Sequence, residues 1–195
     1  MKRVYHSALS PPLTGLELVQ RIDLPNGVAF VNDLTTGQWP IEYASCDVIY
    51  SEMPWRPGYE AFNRRAGLDG SRQWGGLLRA VNRLIITTDQ PIVLLWGKHV
   101  ERRITPFDWK LPAILNGAQA MLYGWRCPSW EQDSALDRTE IVKLLCKTYD
   151  CIGDFCCGYG ATGYEAFKAG KRAVLSDVNA QCIGYIGQEG QTWTR

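Results

Sequence analysis

The chain has 195 residues, 46% of them hydrophobic and 21% charged, with a formal net charge of +1. That length fits one domain with a full sheet-and-helix core, and that composition excludes a disordered or low-complexity protein. Near-neutral charge argues against a protein that is basic throughout, as many nucleic-acid binders are, although the average conceals a local excess described below.

The first apolar element in chain order is GVAFVND (27–33), a short strand ending in a polar pair. CDVIYS (46–51) is a second strand, stopped by Pro54 and Pro57. WGGLLRAVNRLII (74–86) places apolar residues at helical spacing with arginines between them. Pro91 then opens PIVLLW, a run suited to a strand buried on both faces. WKLPAILNGAQAMLYGWR (109–126) has two apolar arms around Asn116-Gly117, the strongest hairpin signal in the chain. RTEIVKLLCKTY (138–149) reads as a helix, IGDFCC (152–157) as a strand, and GATGYEAFKAG (160–170) as a turn and helix with a glycine cap. RAVLSDVN (172–179) is a strand closing on an acid. Seven strands joined in this order predict an α/β fold with a mostly parallel sheet, to which the hairpin adds an antiparallel strand.

No apolar run approaches the ~18–20 residues of a membrane span, and MKRVYHSALSPPLTG lacks the apolar core of a secretory signal. The seven cysteines lack the spacing of a disulfide framework, so reduced thiols in a cytoplasm are expected, or in a host cytoplasm if the chain is virus-encoded. Cys146, Cys151, Cys156 and Cys157 cluster without a C-x-x-C pair or a nearby histidine, and no metal site is expected from them. From Arg56 to Arg103 nine basic residues face four acidic ones, a local +5 that leaves −4 elsewhere. That stretch is either a solvated helix face or a surface for an anionic ligand.

Two stretches carry chemistry. In DFCCGYGATG (154–163) a strand runs into a glycine-rich turn and a helix, a device that brings backbone close to a ligand. Asp177, at the end of the following strand, can accept hydrogen bonds from ribose hydroxyls. The spacing does not fit the triphosphate loop G-x-x-x-x-G-K-[ST], which favours a ligand with a ribose, an adenine and a charged amino-acid end. The second stretch is DVIYSEMPW (47–55), an acid at a strand end followed by a proline and an aromatic.

Residues 154–179, DFCCGYGATGYEAFKAGKRAVLSDVN, resemble without a gap the S-adenosylmethionine motif of the permuted, β-class DNA amino-methyltransferases. Asp154, Cys157, Gly158, Gly160, Thr162, Gly163, Gly170, Asp177 and Asn179 fall in place, whereas Phe155, Tyr159 and Ala161 depart from the pattern. The 47–55 stretch is similar to the catalytic D-x-I-Y-x-D-P-P-W of the same family, with Glu52 in place of the acid and Met53 in place of the first proline. The resemblance implies a Rossmann-like class I methyltransferase fold in circularly permuted motif order. It implies one domain over 1–195, with a catalytic half at 28–137 that includes short substrate-facing inserts and a cofactor-binding half at 138–195. It implies S-adenosylmethionine as cofactor, held by Asp33, Asp154, Cys157, Gly158, Gly160, Thr162, Asp177 and Asn179.

An exocyclic base amine is a poor nucleophile. In the family a side-chain acceptor and a backbone carbonyl receive its two N–H groups and aim its lone pair. The resemblance gives these roles to Glu52 and the Met53 carbonyl, beside Pro54, with Trp55 stacking on the extruded base. Tyr59, Arg64, Arg65 and Arg72 are the substrate-binding candidates. An acid at position 52 resembles the adenine N6 members of the family and a serine the cytosine N4 members, and the resemblance implies nucleic acid, DNA ahead of RNA, as the partner. Two other readings stay open: a silent cofactor-binding homologue acting as partner subunit or decoy, and a methyltransferase for a non-DNA amine. A homodimer is compatible with any of them. Asp33 stays open between adenine contact and turn cap. The segment before the cofactor strand lacks the family's Lys-Pro pair, so Arg138 and Thr139 receive no role.

Overall fold

The computed structural model describes residues 20–37, 39–54, 56–65, 67–68 and 74–193. One sheet of eight strands runs in the order β1-β2-β8-β7-β3-β4-β6-β5. Its strands are β1 (Arg21–Leu24), β2 (Gly27–Val31), β3 (Val48–Glu52), β4 (Ile92–Trp96), β5 (Trp109–Leu115), β6 (Ala118–Trp125), β7 (Cys151–Asp154) and β8 (Arg172–Asp177). The five central strands, β2, β8, β7, β3 and β4, are parallel. Antiparallel pairs close both edges, β1 with β2 on one side and β4–β6–β5 on the other.

The sheet has eight strands where the sequence reading expects seven. The additional one, β1, turns back through Pro25-Asn26 so that Leu24 pairs with Gly27. Its RIDL sequence is too short and too polar to announce a strand, and its pairing with β2 is what forms it. The expected hairpin forms as read: Leu115 pairs with Ala118, and Asn116 and Gly117 both take positive φ, 51° and 79°. Two positive φ values in a two-residue loop match the right-handed twist of the flanking strands.

Five helices are present among the described residues: α1 (Arg56–Arg65), α2 (Trp74–Thr87), α3 (Arg138–Thr148), α4 (Ala161–Lys168) and α5 (Ala180–Gly190). Three of them correspond to the predicted helices; α1 and α5 were not read from the sequence. Side-chain alternation along each strand sorts the core into two layers. Val48 and Tyr50 of β3, Val93 and Leu95 of β4 and Ile152 of β7 pack with Ile141, Val142 and Leu145 of α3, with Ala166 of α4 and with Ile183 of α5. Ile49 of β3 and Ile92, Leu94 and Trp96 of β4 pack on the opposite face with Leu77, Val81 and Leu84 of α2. The expected double-sided burial of β4 is realised, with all five residues buried.

From β3 the chain crosses through α2 to β4 on one side, and from β7 it crosses through α4 to β8 on the other. Strand order therefore diverges between the adjacent strands β3 and β7. In open α/β sheets such a divergence opens a crevice beyond the carboxyl ends of the strands, where ligands bind. Glu52 and Asp154 are the last residues of those two strands.

Candidate active site

The glycine turn is built by backbone donors converging on two buried carboxylates. Asp177, 5% exposed, accepts from the Gly158 N–H at 3.0 Å through Oδ2 and from the Asn179 N–H at 2.9 Å through Oδ1. Asp154 accepts from Thr162 Oγ1 at 2.6 Å, Ser51 Oγ at 2.8 Å and the Cys156 N–H at 3.1 Å. Burial pushes both carboxyls up to about 6 from the usual carboxylate range, against the pull of these donors.

The glycines have separate causes. Gly160 caps α4 at φ +79°, and a Cβ there would stand 2.5 Å from the Trp193 ring. Gly163 lets α4 lie on β8, since a Cβ would meet Leu175 at 2.5 Å. Gly158 has φ +51° and nothing within 4 Å of a would-be Cβ, so its open side is available to a ligand.

This arrangement divides the expected cofactor residues. Asp177 and Gly158 present ligand-binding chemistry. A carboxylate has about four acceptor positions, and the two backbone donors on Asp177 leave capacity for ribose hydroxyls. These observations fit an adenosine-type cofactor. Asp154 and Thr162 are bonded to each other, and through Ser51 they fasten the turn to the end of β3. Cys157 is buried, its N–H on the Ser176 carbonyl, and Asn179 caps α5 by accepting from the Gln181 N–H at 3.0 Å. Asp33 caps the short helical turn Leu34–Thr36, accepting from the Thr35 N–H at 3.0 Å and the Thr35 hydroxyl at 2.7 Å. It follows Asn32, whose N–H donates to the Asp177 carbonyl at 3.0 Å. The Tyr159 ring packs edge-on against Tyr185 of α5, with centroids 5.2 Å apart.

On the other strand, Glu52 closes β3 opposite Leu95, and Met53 extends the pairing with its N–H on the Leu95 carbonyl at 2.9 Å. The Met53 side chain is buried in the α2-side core. Pro54 is partly buried. Tyr50 and Glu52, two positions apart, point to the α3 face, and the Tyr50 hydroxyl donates to Glu52 Oε1 at 3.3 Å. The same oxygen forms an ion pair with Arg138 Nε, from the first turn of α3. The Glu52 and Arg138 side chains are 14% and 24% exposed. Burial raises the Glu52 carboxyl above its ordinary range, and the Arg138 charge opposes the rise.

Arg138 received no role from the sequence because the family's Lys-Pro pair is missing. The usable signal was Asp137…Glu140, a capping box that fixes where α3 begins and hence where Arg138 stands. Tyr50 was legible from its two-residue spacing to Glu52. Of the substrate candidates, Arg64 is exposed on α1, whereas Tyr59 is buried in the α2-side core. Trp55, Arg72 and the Arg65 side chain lie outside the described residues. Arg79 and Arg83 of α2, together with Lys98, Arg102 and Arg103, are exposed members of the basic stretch. Among the described residues no helix is long and apolar enough to cross a membrane, and no group of three or more His, Cys, Asp or Glu could hold a metal.

Neither a family model nor a curated protein matches the sequence. Solved structures match the fold. The complex of M1.HpyAVI with S-adenosylmethionine aligns with a TM-score of 0.54 at 8% identity, over 85% of this chain and 99% of that one. TTHA0409 from Thermus thermophilus, named for DNA modification methylase activity and solved with S-adenosyl-L-methionine, aligns with a TM-score of 0.52 at 14% identity, over 86% and 96% of the two chains. The fold is shared with these two structures, each solved with S-adenosylmethionine. At these identities the likeness is one of architecture, and the chemistry rests on the residues.

Proposed function

We propose that the protein is an S-adenosylmethionine-dependent methyltransferase acting on an exocyclic amine of a nucleic-acid base, with adenine N6 in DNA as its target. The observation that carries this is the junction of the two motifs. Glu52 ends β3, the glycine turn follows β7 beside it, and Ser51 and Asp154 bond the two ends together at 2.8 Å. On this reading an amine acceptor, Glu52, and a ribose acceptor, Asp177, end strands at the same carboxyl edge of the sheet.

Asp177 would receive the ribose hydroxyls, the backbone around Gly158 would line the cofactor, and Asp33, two residues past the strand that pairs with β8, is the candidate for the adenine amine. When bound, the cofactor supplies an electrophilic sulfonium methyl group. The chain's own residues prepare the nucleophile: Glu52 and the Met53 carbonyl accept the two N–H groups of the target amine, favour a tetrahedral nitrogen and fix its lone pair. Ser51, fully buried and donating to Asp154, is already committed, which leaves the acid as the acceptor and favours adenine N6 over cytosine N4. Exposed Arg64, Arg79 and Arg83 would meet the phosphate backbone.

The test is transfer of an isotopically labelled methyl group to unmethylated DNA, RNA and protein, followed by nucleoside analysis. The expected product is N6-methyladenine in DNA. Label in N4-methylcytosine would redirect the base assignment. Label in protein alone, or in no substrate while the cofactor binds, would reject the nucleic-acid reading.

A further inference from the structure

The acid at the centre of this site is one methylene longer than the family's aspartate, and the structure shows what holds it. Glu52 Oε1 takes both the Arg138 ion pair and the Tyr50 hydroxyl, and Oε2 has no partner among the described residues. We infer that Arg138, supported by Tyr50, is a positioning residue that clamps the Glu52 carboxylate through Oε1 and leaves Oε2 as the acceptor for the target amine. The inference rests on the proposed function for the amine, but the clamp itself is a property of the protein alone.

Three features set this pair apart from an incidental ion pair. Both side chains are largely buried, so removing the arginine would leave a buried Glu52 charge without its positive partner. The arginine is anchored. The Asp137 side chain accepts from the Glu140 N–H at 2.9 Å, Glu140 Oε2 accepts from the Asp137 N–H at 2.8 Å, and Leu136 is bonded to β5 through the Ile114 N–H at 2.9 Å. The contact also answers a specific need. A glutamate has one more rotatable bond than an aspartate, and a displacement of ~1 Å at a reacting group can cost ~10²-fold in rate. Anchoring one oxygen at two points removes that freedom and leaves the other oxygen in a fixed place.

The charged and titratable groups around Glu52 are Arg138 on α3, Tyr50 on β3, Asp154 on β7 and Cys156 just after β7. Of these the arginine is the one positive charge and favours the anion most, the Tyr50 hydroxyl adds a weaker hydrogen bond to it, and Asp154 opposes it. Replacing the arginine with a neutral residue therefore has a defined sign: Glu52 should ionise at higher pH, and the acid limb of the activity profile should move to higher pH.

The experiment compares wild type with Arg138→Gln, Arg138→Lys and Tyr50→Phe. Three quantities are measured: cofactor affinity by calorimetry, the titration of the Glu52 side-chain carbon by NMR, and kcat and KM for methyl transfer across pH. Arg138→Gln should lower kcat by ~10–100-fold, keep cofactor affinity within about twofold, and raise both the Glu52 titration and the acid limb. Arg138→Lys should restore much of the acid limb but less of the rate, because an ammonium carries the charge without the planar fork. Tyr50→Phe should cost a few-fold. An Arg138→Gln titration that coincides with wild type, or a kcat that is unchanged or higher, overturns the clamp; a higher kcat would make Arg138 a plug on the acceptor. If wild type binds cofactor and methylates nothing, yet the Glu52 titration still moves with Arg138, the proposed function falls and the clamp stands. Should Arg138→Gln fail to fold, Arg138→Lys decides the question through the rate: it keeps the charge, so a kcat equal to wild type overturns the clamp, and a Glu52 titration unmoved in Tyr50→Phe removes Tyr50 from it.

Discussion

The two halves of the site are held together in different ways. In the cofactor half, Asp177 is fixed by backbone N–H groups from Asn179 and Gly158, two and nineteen positions away, and the whole device fits within residues 154–179. In the catalytic half, Glu52 is fixed by side chains, one of them on Arg138 in a helix that starts beyond two further helices and three strands. A backbone-built site is set by a local pattern of glycines and one acid. A side-chain-built site depends on tertiary packing and can absorb a change, such as a longer acid, by recruiting a distant partner. Damage to each half should therefore show in a different measurement.

The largest effect should come from Glu52→Ala. Loss of the acceptor should lower methyl transfer by ~10²–10³-fold, the scale seen when one preorganised partner of a developing charge is removed. Cofactor affinity should stay nearly unchanged, because the Glu52 side chain bonds to Arg138 and Tyr50, whereas the turn that holds Asp177 is tied to β3 through Ser51. A parallel fall in cofactor binding, measured by calorimetry, would show that the halves are not separable.

Asp177→Ala should give the converse at smaller size. Removing a buried charged acceptor from two backbone donors and the ribose hydroxyls should weaken cofactor binding by ~1.5–3 kcal/mol, about 10–150-fold in Kd. With saturating cofactor, kcat should recover most of its value. A kcat that stays low under saturation would place Asp177 in the chemistry rather than in binding.

The same division explains what could be read in the sequence. The glycine turn, the acid at the end of β8 and the succession of the central strands along the chain were legible because each follows from local constraints: positive φ, close helix–sheet approach, alternation and apolar runs. The hairpin was legible from Asn116-Gly117 alone. Three things were not. Strand β1 has little signal of its own and exists through pairing with β2. The burial of Tyr59 follows from how α1 turns it into the core, which its place after the catalytic stretch does not show. Arg138 is 86 positions from Glu52 and meets it only because β3 and α3 share a face of the sheet, a fact that no local window holds.

The smallest effect concerns pH and turns on the sign of the Asp177 shift. Burial raises its carboxyl to about 6, above the ordinary 3.8, so the folded protein holds this proton more tightly than the unfolded chain does. The sign follows from linkage: stability contributed by the protonated form is present below about pH 4 and is lost as pH rises through about 6. The full effect is no more than ~3 kcal/mol, since one pH unit corresponds to about 1.4 kcal/mol. Cofactor binding should run the other way. Ribose hydroxyls donate to the ionised carboxylate, so affinity should rise between pH 5 and 7, by up to about tenfold per unit below the titration point, and binding should release a proton. Asp177→Asn removes the titrating group while keeping the shape. Relative to that variant, the wild-type melting temperature should fall from pH 4.5 to 7, while the upward shift caused by cofactor grows. If the two proteins show the same pH dependence in both measurements, Asp177 does not titrate in this window, and the backbone donors of the glycine turn outweigh burial in setting its charge.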